Sequence, residues 1–374
     1  MVYLDYSATY PMLPSVREAM KKAEQKYFAN ASALHTPGHL AHNEVEACRK
    51  TLADLIGASP SEIIFMSGAT ECNNTVAHTF EGCQIETSPL EHDSILESAK
   101  LYRGQKLPKL YSYMLANNET GEILNLPQIH PKPLADAELF KGTTKWGKPL
   151  VTDKRTAYLH SDLTQAMGKI KIDVNKLGLD YATFSAHKIG GPVGVAALYV
   201  KEGVPYKPLL IGGGQENHRR GGTYNVPAIV GFHAALKQIS QNNTIKQYET
   251  NVALLRNSLA KQILAKIPGS SLNTNIKKGK SLPNILNVSF KSAEGESIQL
   301  YLDAEGIIVS TGSACASGDI EPSHVLMAKT GDAEIAHSSI RFSFGLESTE
   351  KDVQAVMKVL PGIIKRLQGM STIV

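Results

Sequence analysis

The sequence predicts an α/β protein in two parts, and three observations carry that expectation. Short apolar runs of strand length alternate with amphipathic helical patterns through the first two-thirds of the chain. From about residue 284 the pattern becomes a smaller strand–helix–strand unit, followed by a cysteine loop, another strand and a last helix. The length of 374 residues is enough for a large core and for two domains.

The elements follow in order. Tyr3-Leu4-Asp5-Tyr6-Ser7-Ala8-Thr9 is too short and mixed for a helix, and residues 14–27 open on Pro14-Ser15 with a helical pattern. A loop of small polar residues, Asn30-Ala31-Ser32-Ala33-Leu34-His35, comes next. His35, His39 and His42 invite a metal reading, but no glutamate pairs with them and Pro37-Gly38 interrupts their spacing. Val45, Cys48, Leu52, Leu55 and Ile56 mark an amphipathic helix over 38–56, stopped by Gly57. Ile63-Ile64-Phe65 reads as a buried strand, and the turn Ser67-Gly68-Ala69-Thr70-Glu71 leads into a helix. Strand, small-residue turn and helix aim backbone N–H groups at an anion, although a plain N-cap has the same look.

Strands are predicted at 85–87, 110–116, 158–162 and 181–185. The first leads to Glu91-His92, whose ring is either structural or placed to stack on a flat cofactor. Asn117-Asn118-Glu119-Thr120-Gly121 is a turn by its chemistry. Asp162 ends a strand, where acids of α/β proteins commonly face the ligand crevice, or it is only a helix cap. Residues 127–156 lack periodicity and read as irregular surface structure.

Phe184-Ser185-Ala186-His187-Lys188-Ile189-Gly190-Gly191-Pro192 is the pivotal stretch. Most lysines at such turns are solvated. The sharper reading is an amine held beside a cofactor aldehyde, where it forms a Schiff base. A strand over 193–200 follows. Gly212-Gly213-Gly214 with Arg219, Arg220 and Thr223 is a further phosphate-contact candidate, weak by itself. Helices are expected at 226–239 and 245–267. The smaller unit then holds strand 284–290, helix 294–304, strand 307–310, the Cys315 loop, strand 339–344 and helix 350–367.

Composition bounds the function. Hydrophobic residues at 42% and charged residues at 20% suit a globular protein, and a formal charge of +4 without basic clusters gives no argument for nucleic acid. The longest clean apolar stretch, 193–200, is too short for a bilayer, and the opening residues have no basic region or apolar leader core, so a cytoplasmic setting is expected. Four cysteines do not make a disulfide framework. Cys48 and Cys83 read as packing residues. Cys315, among Gly312, Ser313, Ala314, Ala316, Ser317 and Gly318, suits an exposed, mobile thiol or a plain loop cysteine.

Taken in order, Ser67-Gly68-Ala69-Thr70-Glu71, Glu91-His92, Asn117-Asn118-Glu119, Ser185-Ala186-His187-Lys188, Gly222-Thr223 and Gly312-Ser313-Ala314-Cys315 resemble the cysteine desulfurases that supply sulfur for iron–sulfur clusters. Glu321-Pro322-Ser323-His324-Val325-Leu326 and Ala336-His337-Ser338-Ser339-Ile340-Arg341-Phe342-Ser343 extend the likeness, which runs from Tyr3 to about Leu367. The resemblance implies a fold-type I pyridoxal 5'-phosphate (PLP) dependent transferase. Its large domain, with a mixed, mostly parallel sheet between helices, would span residues 15–250. A smaller α+β domain of residues 1–14 and 251–374 would carry the cysteine loop.

The resemblance also implies roles. Lys188 is the lysine that carries the cofactor, Asp162 the partner of the ring nitrogen, and His92 the residue that stacks on the ring and moves protons. Gln165 and Asn118 lie near the ring's phenolic oxygen. Ala69, Thr70, Ser185 and His187 contact the phosphate, and Thr223 does so from a second subunit, so a homodimer is implied. Arg341 clamps the substrate carboxylate with Asn30 and Asn118 assisting, and Cys315 takes the sulfur as a persulfide. The implied activity converts L-cysteine to L-alanine and passes sulfur to a scaffold or other acceptor protein, with no metal, nucleic acid or membrane required. Selenocysteine lyase is the near alternative, and a PLP-binding sulfur-relay partner without turnover is the distant one. Ala31 and Leu163 depart from the family pattern, with proline and a small residue usual there.

Overall fold

A computed structural model describes residues 1–134, 151–241, 243–311 and 322–370. The chain forms two compact units, one of Met1–Tyr10, Ala116–Leu124 and Asn243–Val374, the other of Pro11–Leu115 and Asn125–Asn242. Residues 116–124 therefore group with the two ends of the chain.

In chain order the elements are β1 (Val2–Tyr3), α1 (Pro14–Lys26), α2 (Thr36–Ile56), β2 (Ile63–Met66), α3 (Ala69–Thr79), β3 (Cys83–Thr87), α4 (Asp93–Tyr102), β4 (Lys106–Ser112), β5 (Ala157–Asp162), β6 (Tyr181–Ser185), β7 (Ala196–Val200) and α5 (Val226–Gln241). Then come α6 (Thr244–Gln247), α7 (Ala253–Lys266), β8 (Ser270–Leu272), β9 (Ile285–Phe290), α8 (Gly295–Ala304), β10 (Ile307–Ile308), α9 (His324–Thr330), α10 (Ala333–His337), β11 (Ser339–Ser343) and α11 (Glu350–Met370). A π-helical turn, Tyr248–Val252, joins α6 to α7.

The larger unit holds a six-stranded sheet in the order β2-β7-β6-β5-β4-β3. Strands β3, β4, β5 and β6 run parallel, while β7 is antiparallel to both β6 and β2. Strands β5, β6 and β7 are buried along their whole length, as expected for strands covered on both faces. Ile64, Val76, Phe80, Leu110, Tyr158 and Leu198 belong to its apolar core. Helix α3 packs on β6 and β7, and α1 and α2 both pack on α5. In the other unit β11, β9 and β8 form an antiparallel sheet and β1 pairs with β10 in parallel.

Three boundaries differ from expectation for physical reasons. The strand expected at 110–116 is β4, beginning at Lys106 and ending at Ser112. Met114, Leu115 and Ala116 are buried there without extending it; Ala116 instead bridges Ile123. Strand β7 starts at Ala196, since Val193 is 72% exposed. Of residues 127–156, the segment 135–150 lies outside the described residues, and Val151 is buried in the core, where a surface position was expected.

Candidate functional site

Register alone gathers several of the expected residues at one edge. Asp162 pairs with Thr183, Ser185 with Ala196, and Ala196 with Met66. The carboxyl ends of β5, β6 and β2 therefore share an edge, where ligands of open α/β sheets bind. The Asp162-Leu163-Thr164-Gln165 loop, the Ser185–Lys188 turn and the Ser67-Gly68-Ala69-Thr70 turn all leave from it.

Asp162 is buried and accepts at both oxygens, Oδ1 from the Thr164 N–H at 2.9 Å and Oδ2 from Asn73 Nδ2 at 2.9 Å. The same Asn73 amide donates to Ser94 Oγ at 2.8 Å, and Ser94 Oγ lies 2.9 Å from His92 Nδ1. His92 is the N-cap of α4, its Nδ1 accepting from the Ser94 N–H at 3.1 Å. That bond fixes Nδ1 as an acceptor and leaves Nε2 to carry the proton of the neutral ring. The chain His92–Ser94–Asn73–Asp162 thus ties the expected ring-stacking residue to the expected ring-nitrogen partner. Sequence reading missed Asn73 and Ser94. The one signal was position: Asn73 lies a turn into α3 and Ser94 is the second residue of α4, at buried places where polar residues need a reason.

The Lys188 turn, Ala186–Ile189, is a single 3₁₀ turn closed by Gly190 at φ +77°. A Cβ on Gly190 would lie 2.6 Å from Leu13 Cγ, so both the positive φ and the close approach demand glycine. His187 is held down to about 4, first by burial and then by the charges of Lys188 and Lys169, so its ring is neutral near pH 7. Under the same edge His160 lies between Ser112 Oγ (2.8 Å) and Thr183 Oγ1 (3.1 Å), and burial pushes it down to about 4.

Helix α3 begins after Gly68 without a side-chain cap, and the space in front of the Gly68 α-carbon is open. Ala69 and Thr70 stand at this N-terminus; Ser185 and Gln165 are buried on the turns after β6 and β5. Arg219 and Arg220 are otherwise engaged. Arg220 Nε donates to Glu71 Oε1 of α3 at 2.9 Å and Arg219 Nε to the Glu216 carbonyl at 3.1 Å, so Arg219 ties its own loop together and Arg220 ties that loop to α3. Thr223 is exposed and lines a cleft of about 210 Å³ with Ser67, Gly194 and Arg220. Asn30 is exposed, its Oδ1 accepting from the Ser32 N–H at 2.9 Å, and His35 caps α2 through the Gly38 N–H. That accounts for His35 without a metal.

In the other unit Arg341 is buried on β11. Its Nη2 donates to Asp5 Oδ1 at 2.9 Å and its Nη1 to the Asn118 carbonyl at 3.0 Å. Asp5 is a residue that sequence reading quoted but gave no role. Glu119, beside Asn118, accepts from Ser323 Oγ at 2.5 Å, anchoring the start of α9. Cys315 and its flanking loop lie outside the described residues. Cys48, Cys72 and Cys83 are buried free thiols.

The aminotransferase class-V family model matches residues 2–356. The chain is 37% identical to cysteine desulfurase IscS of Dictyoglomus turgidum, over 99% of this chain and 96% of that protein. The chain is a cysteine desulfurase of the class-V aminotransferase family. The IscS of Methanosarcina thermophila is 36% identical over 99% of this chain and 93% of its own. Among solved structures, a NifS-like protein superposes with a TM-score of 0.77 at 31% identity over all of both chains. A NifS-like protein from Rickettsia africae gives 0.81 at 30% identity over 98% of this chain and 99% of that one. The fold is therefore that of the fold-type I PLP enzymes, and the motifs at Ser67-Gly68-Ala69-Thr70 and Ser185-Ala186-His187-Lys188 fall on two of the turns described above. No described helix is long and apolar enough to cross a membrane.

Proposed function

We propose that the chain takes sulfur from L-cysteine with pyridoxal 5'-phosphate held at the carboxyl edge of the six-stranded sheet, leaving L-alanine. The observation that carries this is the clamped acid: Asp162, with both oxygens accepting, on the strand next to the one that ends in the Lys188 turn. The residues suit the cofactor. Lys188 supplies an amine, Asp162 an acceptor for the ring nitrogen, His92 a flat ring fixed by its cap bond, and α3 an uncapped N-terminus fronted by open space. Ala69, Thr70, Ser185 and His187 would hold the phosphate, and Gln165 and Asn118 the phenolic oxygen. When bound, the cofactor serves as an electron sink for the substrate's α-carbon. His92 holds a proton at Nε2 for transfer. Arg341, oriented by Asp5, meets the substrate carboxylate with Asn30 and Asn118 assisting, and Cys315 receives the sulfur as a persulfide for iron–sulfur assembly or another acceptor.

The reading includes a homodimer in which Thr223 reaches the partner's phosphate. Its support is the exposure of Thr223 and of large apolar side chains on the same unit, Leu34 at 90% and Ile211 at 91%. A cytoplasmic setting and an acceptor protein belong to the same reading, as does the domain division in which residues 15–250 bind the cofactor.

The test is chemical. Borohydride reduction of the yellow protein should fix a pyridoxyl group on Lys188 and on no other lysine. Cys315→Ser should still change the cofactor spectrum with cysteine yet release no sulfide, while Cys48→Ser, Cys72→Ser and Cys83→Ser keep the parent's activity. A label on another lysine, or parental sulfide release from Cys315→Ser, would defeat the assignment.

A further inference from the structure

Lys169 is a buried lysine with a conspicuous neighbour. It is 1% exposed, on the loop that leaves the carboxyl end of β5, and its Nζ donates to the carbonyl of Lys188 at 3.3 Å. Lysine is almost never fully buried unless paired, and no acid pairs with Lys169 among the described residues. The loop is built to bring it there. Gly168 stands at φ +74°, and a Cβ on it would come 2.9 Å from Ile239 Cδ1 of α5 and 3.5 Å from Ile189 Cγ2. The backbone N–H of Lys169 closes a turn on the Ala166 carbonyl. The loop is thereby pressed against the same turn that presents Lys188.

Two consequences follow from this placement. The carbonyl of Lys188 lies at the end of a single 3₁₀ turn, where carbonyls lack intrahelical partners; Lys169 supplies the donor and fixes the backbone from which the Lys188 amine projects. A neutral donor would have met that need. In its protonated form Lys169 also adds a like charge near Lys188, and a neighbouring cation is one of the ways a protein keeps a lysine amine neutral and nucleophilic. The coupling is mutual. Burial and then Lys188 bring Lys169 down to about 7, and both lysines weigh on His187 after its own burial. Among the described residues, the titratable groups that bear on one another here are Lys188 and His187 on the turn and Lys169 on its loop, while α5 presents Ile239.

We propose that Lys169 is a positioning residue for Lys188, its buried Nζ holding the backbone from which the Lys188 amine projects and bringing a like charge to the same turn. The inference rests on the reading of Lys188 as the lysine that carries the cofactor. It adds a residue to the site for which the motifs gave no role.

The experiment is a spectrophotometric pH titration of the bound cofactor in the holoenzyme, on the parent, Lys169→Met and Lys169→Arg, with borohydride peptide mapping of each. Removing the charge should raise the midpoint in Lys169→Met by about one pH unit, the low end of what a nearby charge does. Lys169→Arg keeps a donor and a fixed charge, so its midpoint should stay at or below the parent's. A label on Lys188 with an unmoved or lowered midpoint in Lys169→Met overturns the inference and leaves the function standing. If Lys169→Met does not fold, a midpoint in Lys169→Arg above the parent's overturns it. A label on another lysine instead removes the Lys188 assignment itself, and the inference with it.

Discussion

The two units hold their key charges by different routes. In the six-stranded unit, Asp162 is gripped by a residue two positions on and by Asn73 from the helix between β2 and β3; His92 is gripped by the residue two positions on. In the other unit, Arg341 is held by Asp5 and Asn118, 336 and 223 residues away in sequence. In the first arrangement the Thr164 and Ser94 bonds come from local turns and only Asn73 reaches in, across 89 residues; the second exists only once distant segments have met. At Asp162 the loss of Asn73 leaves a bond that the residue's own turn supplies. At Arg341 either loss also leaves one partner, but that partner is itself distant in sequence.

The sharpest way to break this contrast is to remove the acid and its donor separately. Asp162→Ala should keep bound cofactor through Lys188 and the phosphate donors but lose on the order of 10²–10³ in kcat, the usual loss when one preorganised electrostatic partner goes. Asn73→Ala leaves the Thr164 N–H on Asp162, so the loss should be roughly tenfold, the weight of one hydrogen bond to a carboxylate. Steady-state sulfide release measures both. If Asn73→Ala matches Asp162→Ala, the local grip has no reserve and the contrast fails.

On the long-range side, Asp5→Ala should leave Arg341 with the Asn118 carbonyl alone. Its guanidinium would then meet the substrate carboxylate less well oriented, raising KM for cysteine by about three- to tenfold with a smaller change in kcat. An unchanged KM would assign Asp5 to stability alone, which thermal melts of the same variant would show.

These same differences decide what could be read from the chain. The strand–turn–helix signals at Ser67-Gly68-Ala69-Thr70 and Ser185-Ala186-His187-Lys188 were legible because glycines, small residues and apolar runs report local backbone shape. The burial of Met114, Leu115 and Ala116 was read as strand, because an apolar run does not distinguish a strand from a buried turn. Asn73, Ser94, Asp5 and Lys169 were not legible as site residues. Their significance lies in partners 21 to 336 positions away or, for Lys169, in a backbone carbonyl across a loop. No local pattern encodes such meetings; they are products of register.

The smallest expected effect concerns pH, and it too separates the units. His160, His187 and His233 are all pushed down to about 4, chiefly by burial, and all belong to the six-stranded unit. In the unfolded chain each would titrate near 6.5. Between about pH 6.5 and 4 the unfolded state therefore binds more protons than the folded one. Stability from these groups is complete above 6.5 and is lost as pH falls through the window. Glu91 and Asp180, raised by burial, work in the opposite sense over part of that range, so the parent's net slope mixes both. A variant isolates one contribution. His160→Gln keeps an amide between Ser112 and Thr183 but cannot titrate. Its melting temperature at pH 7 should be lower than the parent's, yet it should fall less steeply from pH 7 to 4.5, by on the order of 1–3 kcal/mol in unfolding free energy. Parallel melting curves for the two proteins across that range would mean that His160 is not the buried neutral group its surroundings make it.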